Sequence, residues 1–104
     1  MSTPVRSRDP GTSWDAALAQ SGGGRRLLQG QILSLLTLRE CGDEELVERV
    51  ATRRRRQQMP PVTPQNVRSR RHELRLQGLV RDTGRTVPTR AGRRATVWAA
   101  VPSE

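Results

Sequence analysis

The sequence predicts a small α+β domain in which three helices precede a β-hairpin, with a further short helix near the N-terminus. Two observations support this fold class. The chain has 104 residues, which suits a single hydrophobic core. Its apolar residues recur at helical spacing as far as Gly78 and alternate as in strands beyond it. We therefore expect an N-terminal arm at 1–24, one folded domain at 25–101 and a short tail at 102–104.

The N-terminal arm contains one segment with a helical signature. Thr12 can cap a short helix, in which Trp14 and Leu18 share a face because they are four residues apart. The sequence Ser-Gly-Gly-Gly at 21–24 predicts a flexible joint before the domain. Two roles are open for Trp14 and Leu18: they hold the segment to its own domain, or they contact a second copy or another protein.

The first long helix is predicted over residues 25–41, where Leu28 and Ile32 belong to an apolar stripe with a 3.6-residue period. Gly42 is expected to end it. The acidic residues 43–45 then predict the cap and first turn of a second helix, because carboxylates stabilise a helix N-terminus. Four consecutive arginines either continue this helix or fray from its end: Arg53, Arg54, Arg55 and Arg56.

A third helix is predicted to start at Thr63 and Pro64, since a capping residue followed by proline is the favoured order. It should run to about Gln77 and stop at Gly78. Beyond it, residues 79–82 and 95–101 predict strands, with a turn at 83–85. The stretch 85–94 contains four arginines and no apolar face, so we expect an unpaired loop that projects into solvent. Trp98 and Cys41 are expected in the core.

The charge distribution names a class of partner. The net charge is +9, and all 19 basic residues are arginine. Residues 1–52 carry a net −1, whereas residues 53–104 carry a net +10. Such a polycation is suited to nucleic acid or an anionic membrane. A membrane partner is not expected, because the chain has no apolar run of membrane-spanning length and its basic segments lack an adjoining apolar face.

Several functional classes are excluded by residue counts. Cys41 and His72 are each the sole residue of their type, so the sequence predicts no disulfide framework and no metal site. The two tryptophans are too few to form a base-stacking surface for single strands. No catalytic constellation is visible, and a phosphate-binding glycine loop would need a lysine. We expect no enzymatic activity and no cofactor, and a cytoplasmic location.

Two stretches carry a resemblance to a known family: TPQNVRSRRHEL at 63–74 with QGLV at 77–80, and DTGRTVPTRAGRRATVW at 82–98. The first resembles the recognition helix and first wing strand of winged helix-turn-helix DNA-binding domains. The second is similar to the wing of small winged-helix proteins of actinobacteria and their phages. The resemblance implies a regulator of transcription, or an architectural DNA-binding protein, of phage or mobile-element origin, located in a bacterial nucleoid or a phage-infected cell.

One departure from the family concerns the connection between the second and third helices. Winged helices usually have a short turn there, whereas this chain has about a dozen residues, 51–62. Either the second helix is long, or a basic loop has been added near the DNA. The four arginines at 53–56 are therefore a possible additional DNA contact.

The third helix supplies the candidates for reading bases. With Val67 and Leu74 on its buried side, polar residues point outward. The amides suit adenine and the guanidinium group suits guanine, and recognition helices read mainly through their N-terminal residues. The base-reading candidates are Gln65, Asn66, Arg68, Ser69 and His72.

A second group of candidates suits the DNA backbone, because arginine binds phosphate through two parallel hydrogen bonds and also enters narrow minor grooves. These residues are Thr63, Arg70, Arg71 and Arg75 on the helix, and Arg85, Arg90, Arg93 and Arg94 on the wing. Two roles are open for Arg71: its stem covers the core while the head reaches a phosphate, or it pairs with an acidic residue of the first or second helix.

The sequence thus predicts sequence-specific or architectural binding of duplex DNA. Some 5 to 8 neutralised phosphates would give a log–log salt slope of about −5 to −7. Two alternatives come from other classes. A protein-interaction module would use Trp14 and Leu18 to bind a host or phage protein, or to form a homodimer. An RNA-associated protein would bind structured RNA through the basic insertion.

Overall fold

The computed structural model describes residues 22–102. It contains helices α1 (Gly22–Leu38), α2 (Asp43–Arg56) and α3 (Pro64–Leu76), followed by strands β1 (Val80–Pro88) and β2 (Arg94–Ala100). The strands pair as an antiparallel hairpin. The α+β class and the order of three helices before a hairpin are confirmed. The expected N-terminal arm and its short helix, with Trp14 and Leu18, lie outside the described residues apart from the three glycines.

The hydrophobic core lies where the three helices meet the base of the hairpin. Ile32, Leu46 and Val67, one from each helix, are no more than 1% exposed. Trp98 of β2 is 7% exposed and belongs to the same core, so its predicted position is confirmed. Within residues 22–102, no helix combines the length and the apolar character needed to cross a bilayer.

Helix α1 differs from its prediction at both ends. It starts at Gly22, so the three glycines expected in a flexible joint form its first turn. It ends at Leu38, three residues before the predicted end. The reason is a β-bridge: the Cys41 amide donates to the Trp98 carbonyl at 3.1 Å, and the Trp98 amide donates to the Cys41 carbonyl at 2.8 Å. Backbone paired in this extended way cannot also continue the helix.

Arg49 of α2 completes the end of α1. Its guanidinium donates to the Leu35 carbonyl at 2.8 Å and to the Arg39 carbonyl at 2.9 Å. The Leu35 carbonyl also accepts from the Arg39 amide at 3.0 Å, and the Arg39 carbonyl lies just beyond the helix end. The Arg49 guanidinium also donates to the Cys41 sulfur at 3.3 Å. Burial of Cys41 still raises the pKa of its thiol, which keeps the group in its neutral form as a core residue.

Gly42 lets the hairpin approach the start of α2. It is the N-cap of α2, a position that the sequence assigned to the acidic residues after it. A Cβ atom at this position would lie 3.1 Å from a methyl group of Val87 and 3.4 Å from the carbonyl of Thr96. The absence of a side chain at Gly42 therefore sets how closely β1 and β2 pack on α2.

The arginine run belongs to α2, which continues to Arg56, so the longer second helix explains most of the long connection. Arg54 points inward and is only 8% exposed. Its Nε donates to the Pro60 carbonyl at 2.7 Å, and its Nη1 donates to Oε1 of Gln31 at 2.8 Å. Burial lowers the pKa of the Arg54 guanidinium. Because arginine stays charged at neutral pH, the inward-pointing Arg54 guanidinium is stabilised by these two oxygen atoms. Its bond to Pro60 also holds the α2–α3 connection in place.

Arg54→Ala is expected to lower the free energy of unfolding by about 2–3 kcal/mol, because two hydrogen bonds of a charged group are lost and the buried Oε1 of Gln31 loses its donor. Arg55→Ala is the matched control. Arg55 is exposed, and among residues 22–102 its guanidinium bonds only Thr52 of its own helix, so a change within about 0.5 kcal/mol is expected. Urea denaturation measures both. Equal losses for the two variants would contradict the internal role of Arg54.

Helix α3 has the predicted boundaries to within one residue. The Thr63 hydroxyl caps it by accepting from the Asn66 amide at 3.1 Å, and Pro64 is its first residue. It ends at Leu76. Gly78 follows with a φ of +80°, a conformation that side chains disfavour, and the chain then turns into β1.

The hairpin is longer than predicted, and the expected unpaired loop over 85–94 is wrong. Strand β1 continues to Pro88, and its Thr86 pairs with Thr96 of β2. The predicted turn at 83–85 is an irregularity within β1, where Gly84 has a φ of +83°. The true turn lies at 89–93. Backbone pairing needs no apolar face, so a polar sequence can extend a hairpin beyond its core.

Candidate nucleic-acid interface

The outward face of α3 has the orientation that its sequence predicts. Val67 and Leu74 are buried at 1% and 2% exposure. Gln65, Arg68 and His72 are exposed on the other side, with the half-buried Ser69 between them. Only a long 3.4 Å hydrogen bond, from the Gln65 amide to the Ser69 hydroxyl, joins two of these side chains. The face therefore presents hydrogen-bonding groups that a ligand can reach.

Arg68 has its full set of donors available. Its guanidinium is exposed, and within residues 22–102 it makes no hydrogen bond or ion pair. A planar guanidinium with five N–H donors can bind two acceptors side by side. Arg68 is therefore the side chain on this face best suited to a bidentate ligand.

Asn66 faces an internal partner, unlike the other base-reading candidates. Its Oδ1 accepts from Nη1 of Arg70 at 3.0 Å. Arg70 itself is 8% exposed, and its Nη2 donates to Glu73 at 2.8 Å. The buried Nε of Arg70 has no partner among the described residues. Arg70 is thus engaged inside the protein, and Asn66 has its side-chain oxygen engaged while its NH2 group has no partner among the described residues.

Glu73 links this group to the first helix. One carboxylate oxygen accepts from the Gln29 amide at 2.8 Å, and the other accepts from Arg70. Arg25 lies 3.8 Å from the same carboxylate. The flank of α3 that carries Asn66 and Glu73 is therefore held against α1, which fixes how far the outward face is rotated.

Arg71 pairs with an acidic residue of the second helix, one of the two roles left open for it. Its Nε and Nη2 donate to the two oxygens of Asp43 at 2.9 and 2.6 Å. Its guanidinium also lies 4.1 Å from the centre of the Trp98 ring. Arg71 thereby joins α2, α3 and β2. Arg75, one turn later, lies 5.2 Å from the same ring and is otherwise exposed.

Two wing arginines are bound to acidic residues of the helical part. Arg85 forms an ion pair with Glu40. Arg90 at the hairpin tip forms an ion pair with Glu48, and its backbone amide donates to Glu44 at 3.2 Å. The tip is therefore drawn against α2 rather than extended freely into solvent. Exposed ion pairs of this kind contribute little energy each.

The other two wing arginines remain accessible. The Nε of Arg94 donates to the hydroxyl of Thr86 across the hairpin at 2.7 Å, which leaves part of its guanidinium exposed. The side chain of Arg93 is exposed and has no partner among residues 22–102. These two residues are the wing side chains best placed to contact a phosphate.

Sequence reasoning missed Arg81 and the acidic partners. Arg81 is exposed on β1 next to the buried Val80, and strand alternation could have found it. The pairing of Glu40 and Glu48 with the hairpin has no signal in the sequence, because the partners are more than 40 residues apart. The sequence assigns the acidic residues 43–45 only to the cap and first turn of α2. Glu44 also accepts from the backbone of the hairpin, which is a second role.

An accessible set of arginines remains on α3 and the hairpin, which we call the α3–hairpin surface. Its members have no carboxylate partner within residues 22–102. They are Arg68, Arg75, Arg81, Arg93 and Arg94. The basic half of the chain is thus partly neutralised by internal ion pairs, and its free charge is smaller than the sequence indicates.

The chain matches no protein family model, and no curated protein is similar to it.

Proposed function

We propose that the protein is a non-enzymatic winged helix-turn-helix protein that binds duplex DNA. In this proposal α3 enters the major groove, and the hairpin acts as a wing on the backbone or in the minor groove. The observation that carries the proposal is the outward face of α3, where Arg68 and its polar neighbours have few internal partners. The arginines of the α3–hairpin surface add a positive field around that face.

The residues on the outward face of α3 are proposed to have different roles, according to the hydrogen-bonding groups that they present. Arg68 and Gln65 are the proposed base readers, because a guanidinium pairs with guanine and an amide with adenine. Ser69 and His72 extend the reading face. Asn66 is proposed to support the helix, since its oxygen is already bound by Arg70.

The wing is proposed to position the protein on the backbone. Arg93 and Arg94 at its tip reach phosphates, while Arg90 holds the tip to α2 through Glu44 and Glu48. These contacts are exposed, so they favour this position of the tip without fixing it. Phosphate contacts fix register and orientation, and they carry no sequence information.

The role that we propose is control of transcription, or shaping of DNA, in a phage or mobile element. Selection of bound sequences from random duplex DNA separates the two. A regulator yields a consensus of a few base pairs, and a palindromic consensus also indicates a dimer. An architectural protein yields no consensus but retains high affinity. Failure to enrich or retain any duplex would overturn the proposal.

The affinity for duplex DNA is expected to fall with a log–log salt slope of about −3 to −4, because Arg68 is assigned to a base and the other arginines of the α3–hairpin surface are free to neutralise phosphates: Arg75, Arg81, Arg93 and Arg94. This slope is less steep than the sequence indicates, since Arg70, Arg71, Arg85 and Arg90 have internal carboxylate partners. Fluorescence anisotropy of a labelled 20-base-pair duplex measures it.

The matched competitor is duplex RNA at the same salt concentrations. A slope near zero would contradict DNA binding through phosphates. Tighter binding of RNA than DNA at every salt concentration would favour the RNA-associated alternative instead.

A further inference from the structure

A groove between α1 and α2 lies away from the proposed DNA-binding face. It has a volume of about 550 Å³, and Leu35 and Leu38 form its apolar part. Leu38 is 70% exposed, which is unusual for a large apolar side chain beside a concave surface. Helix α3 contacts the opposite flank of α2, where Arg71 binds Asp43. A ligand in this α1–α2 groove would therefore leave the outward face of α3 open.

The charged lining of the α1–α2 groove is unbalanced. Its two glutamates already have cationic partners, since Glu45 pairs with Arg39 and Glu48 pairs with Arg90. The groove is also lined by three arginines: Arg49, Arg53 and Arg56. Arg49 donates to the backbone carbonyls of Leu35 and Arg39. No carboxylate among residues 22–102 lies within ion-pair distance of Arg53 or Arg56.

Arg53 has one polar contact, a 3.2 Å hydrogen bond from its Nη1 to the Ser34 hydroxyl of α1. This contact orients the guanidinium over the groove without neutralising it. The groove thus combines an apolar floor with two uncompensated positive charges. The ligand that fits such a site is a short segment with a large apolar side chain beside a carboxylate.

The chain itself contains a segment of this chemistry immediately before α1. Residues 12–18 place Trp14 and Leu18 four residues apart, with Asp15 between them as the sole charged residue of the segment. Spaced this way, the two apolar side chains share one face of a helix. The segment carries a net −1, opposite to the free charge of the groove.

The length of the chain allows this segment to reach the groove. Leu35 lies 13 residues after Gly22 in α1, an axial distance of about 20 Å. The eight residues from Trp14 to Gly22 span about 27 Å when extended. They still span about 20 Å when 14–18 are helical and the rest extended. Trp14 can therefore lie beside Leu35.

The α1–α2 groove is also oriented so that a segment folding back from the start of α1 can follow it. Helix α2 returns antiparallel to α1, because Arg49 bonds Leu35 and the later Gln57 bonds the earlier Gln31. A segment that folds back from Gly22 therefore meets the Arg56 end of the groove first and the Leu38 end last.

We propose that the α1–α2 groove binds residues 12–18 of the same chain. Trp14 packs on Leu35 and Leu38, and Asp15 pairs with Arg53 and Arg56. The N-terminal segment thereby completes the domain on the flank away from α3. This inference is independent of the proposed DNA binding, since it concerns other residues and another face.

The decisive measurement is made by NMR on the full chain with leucine methyl groups labelled. We expect nuclear Overhauser effects between the Trp14 indole protons and the methyl groups of Leu35 and Leu38, with the indole signals assigned through W14F. A Trp14 signal without such contacts would overturn the proposal. Contacts seen between labelled and unlabelled copies in a mixed sample would also overturn it, because the occupant would then belong to a second copy.

Charge exchange tests the ionic part. D15R is expected to abolish the contacts of Trp14, and combining it with R53E and R56E is expected to restore them. The matched control is R55E, in the same arginine run but bonded to Thr52 and not lining the groove; it should leave the contacts unchanged. Persistence of the contacts in D15R, or their loss in R55E, would overturn the assignment of Asp15 to Arg53 and Arg56.

Discussion

Arg71→Ala is expected to lower the free energy of unfolding by about 2–4 kcal/mol, the largest stability loss of any arginine in the chain. Removing one partner of a shielded ion pair leaves the other charge poorly solvated, which costs about 3–5 kcal/mol when burial is complete. The pair here is slightly exposed, at 11% for Arg71 and 19% for Asp43, so a somewhat smaller loss is expected. The stacking of Arg71 on Trp98 is lost as well.

The measurement is urea denaturation followed by circular dichroism, and Arg75→Ala is the matched control. Arg75 lies one turn later over the same Trp98 ring, but at 5.2 Å and without an acidic partner among the described residues. Its replacement is expected to cost no more than about 1 kcal/mol. A similar loss in the two variants would show that stacking on Trp98, and not the bond to Asp43, accounts for the effect of Arg71.

Arg68→Ala is expected to weaken binding to the selected DNA site by about 5- to 150-fold, because a bidentate contact with a base is worth about 1–3 kcal/mol. The preference for one base pair within the site should relax at the same time. Competition binding against duplexes with single substitutions measures both effects. The stability of the fold should not change, since Arg68 is exposed and makes no contact among the described residues.

Arg68→Lys is the control that separates base reading from charge. Lysine keeps the positive charge but lacks the planar fork. We therefore expect it to retain the salt slope while losing much of the base preference. Equal weakening of specific and non-specific duplexes by Arg68→Ala, with a slope smaller by about one, would mean that Arg68 contacts a phosphate instead.

The local elements were predictable because their signals are local. Thr63 and Pro64 mark the start of α3, and the acidic residues at 43–45 mark the first turn of α2. The buried faces follow from the helical period, as Val67 and Leu74 show. These features depend on residues a few positions apart, so a single sequence contains them.

The remaining features depend on residues that are distant in the sequence. The hairpin was predicted too short, because strand pairing between polar residues leaves no hydrophobic pattern. Identical neighbours also have different roles: Arg54 is buried under Pro60 and Arg55 is exposed. The helical period places Arg54 on the buried face of α2, four and eight residues after Val50 and Leu46. The acceptors that make this burial possible lie outside the helix, on Gln31 and Pro60, and local sequence does not reveal them.

Two side-chain amides of the candidate interface also could not be told apart from the sequence. Asn66 and Gln65 are adjacent amides that the sequence treats alike, yet Asn66 is bound by Arg70. The difference arises from a rotation of one position around α3, toward α1 in one case and toward solvent in the other. The types of residue on the candidate interface could therefore be predicted from the sequence. Which individual side chains are available to a ligand depends on how α3 packs on α1.

The β-bridge between Cys41 and Trp98 has a consequence for the order in which the molecule is made. Its two residues are 57 positions apart, so α1, α2 and α3 are all synthesised before their partner strand exists. Until residue 98 emerges, the core lacks its largest side chain and Arg71 lacks its stacking partner. Part of the apolar surface of the three helices therefore stays uncovered until β2 has been added. A nascent chain that pauses before Val97 is expected to be the form most vulnerable to proteases and aggregation.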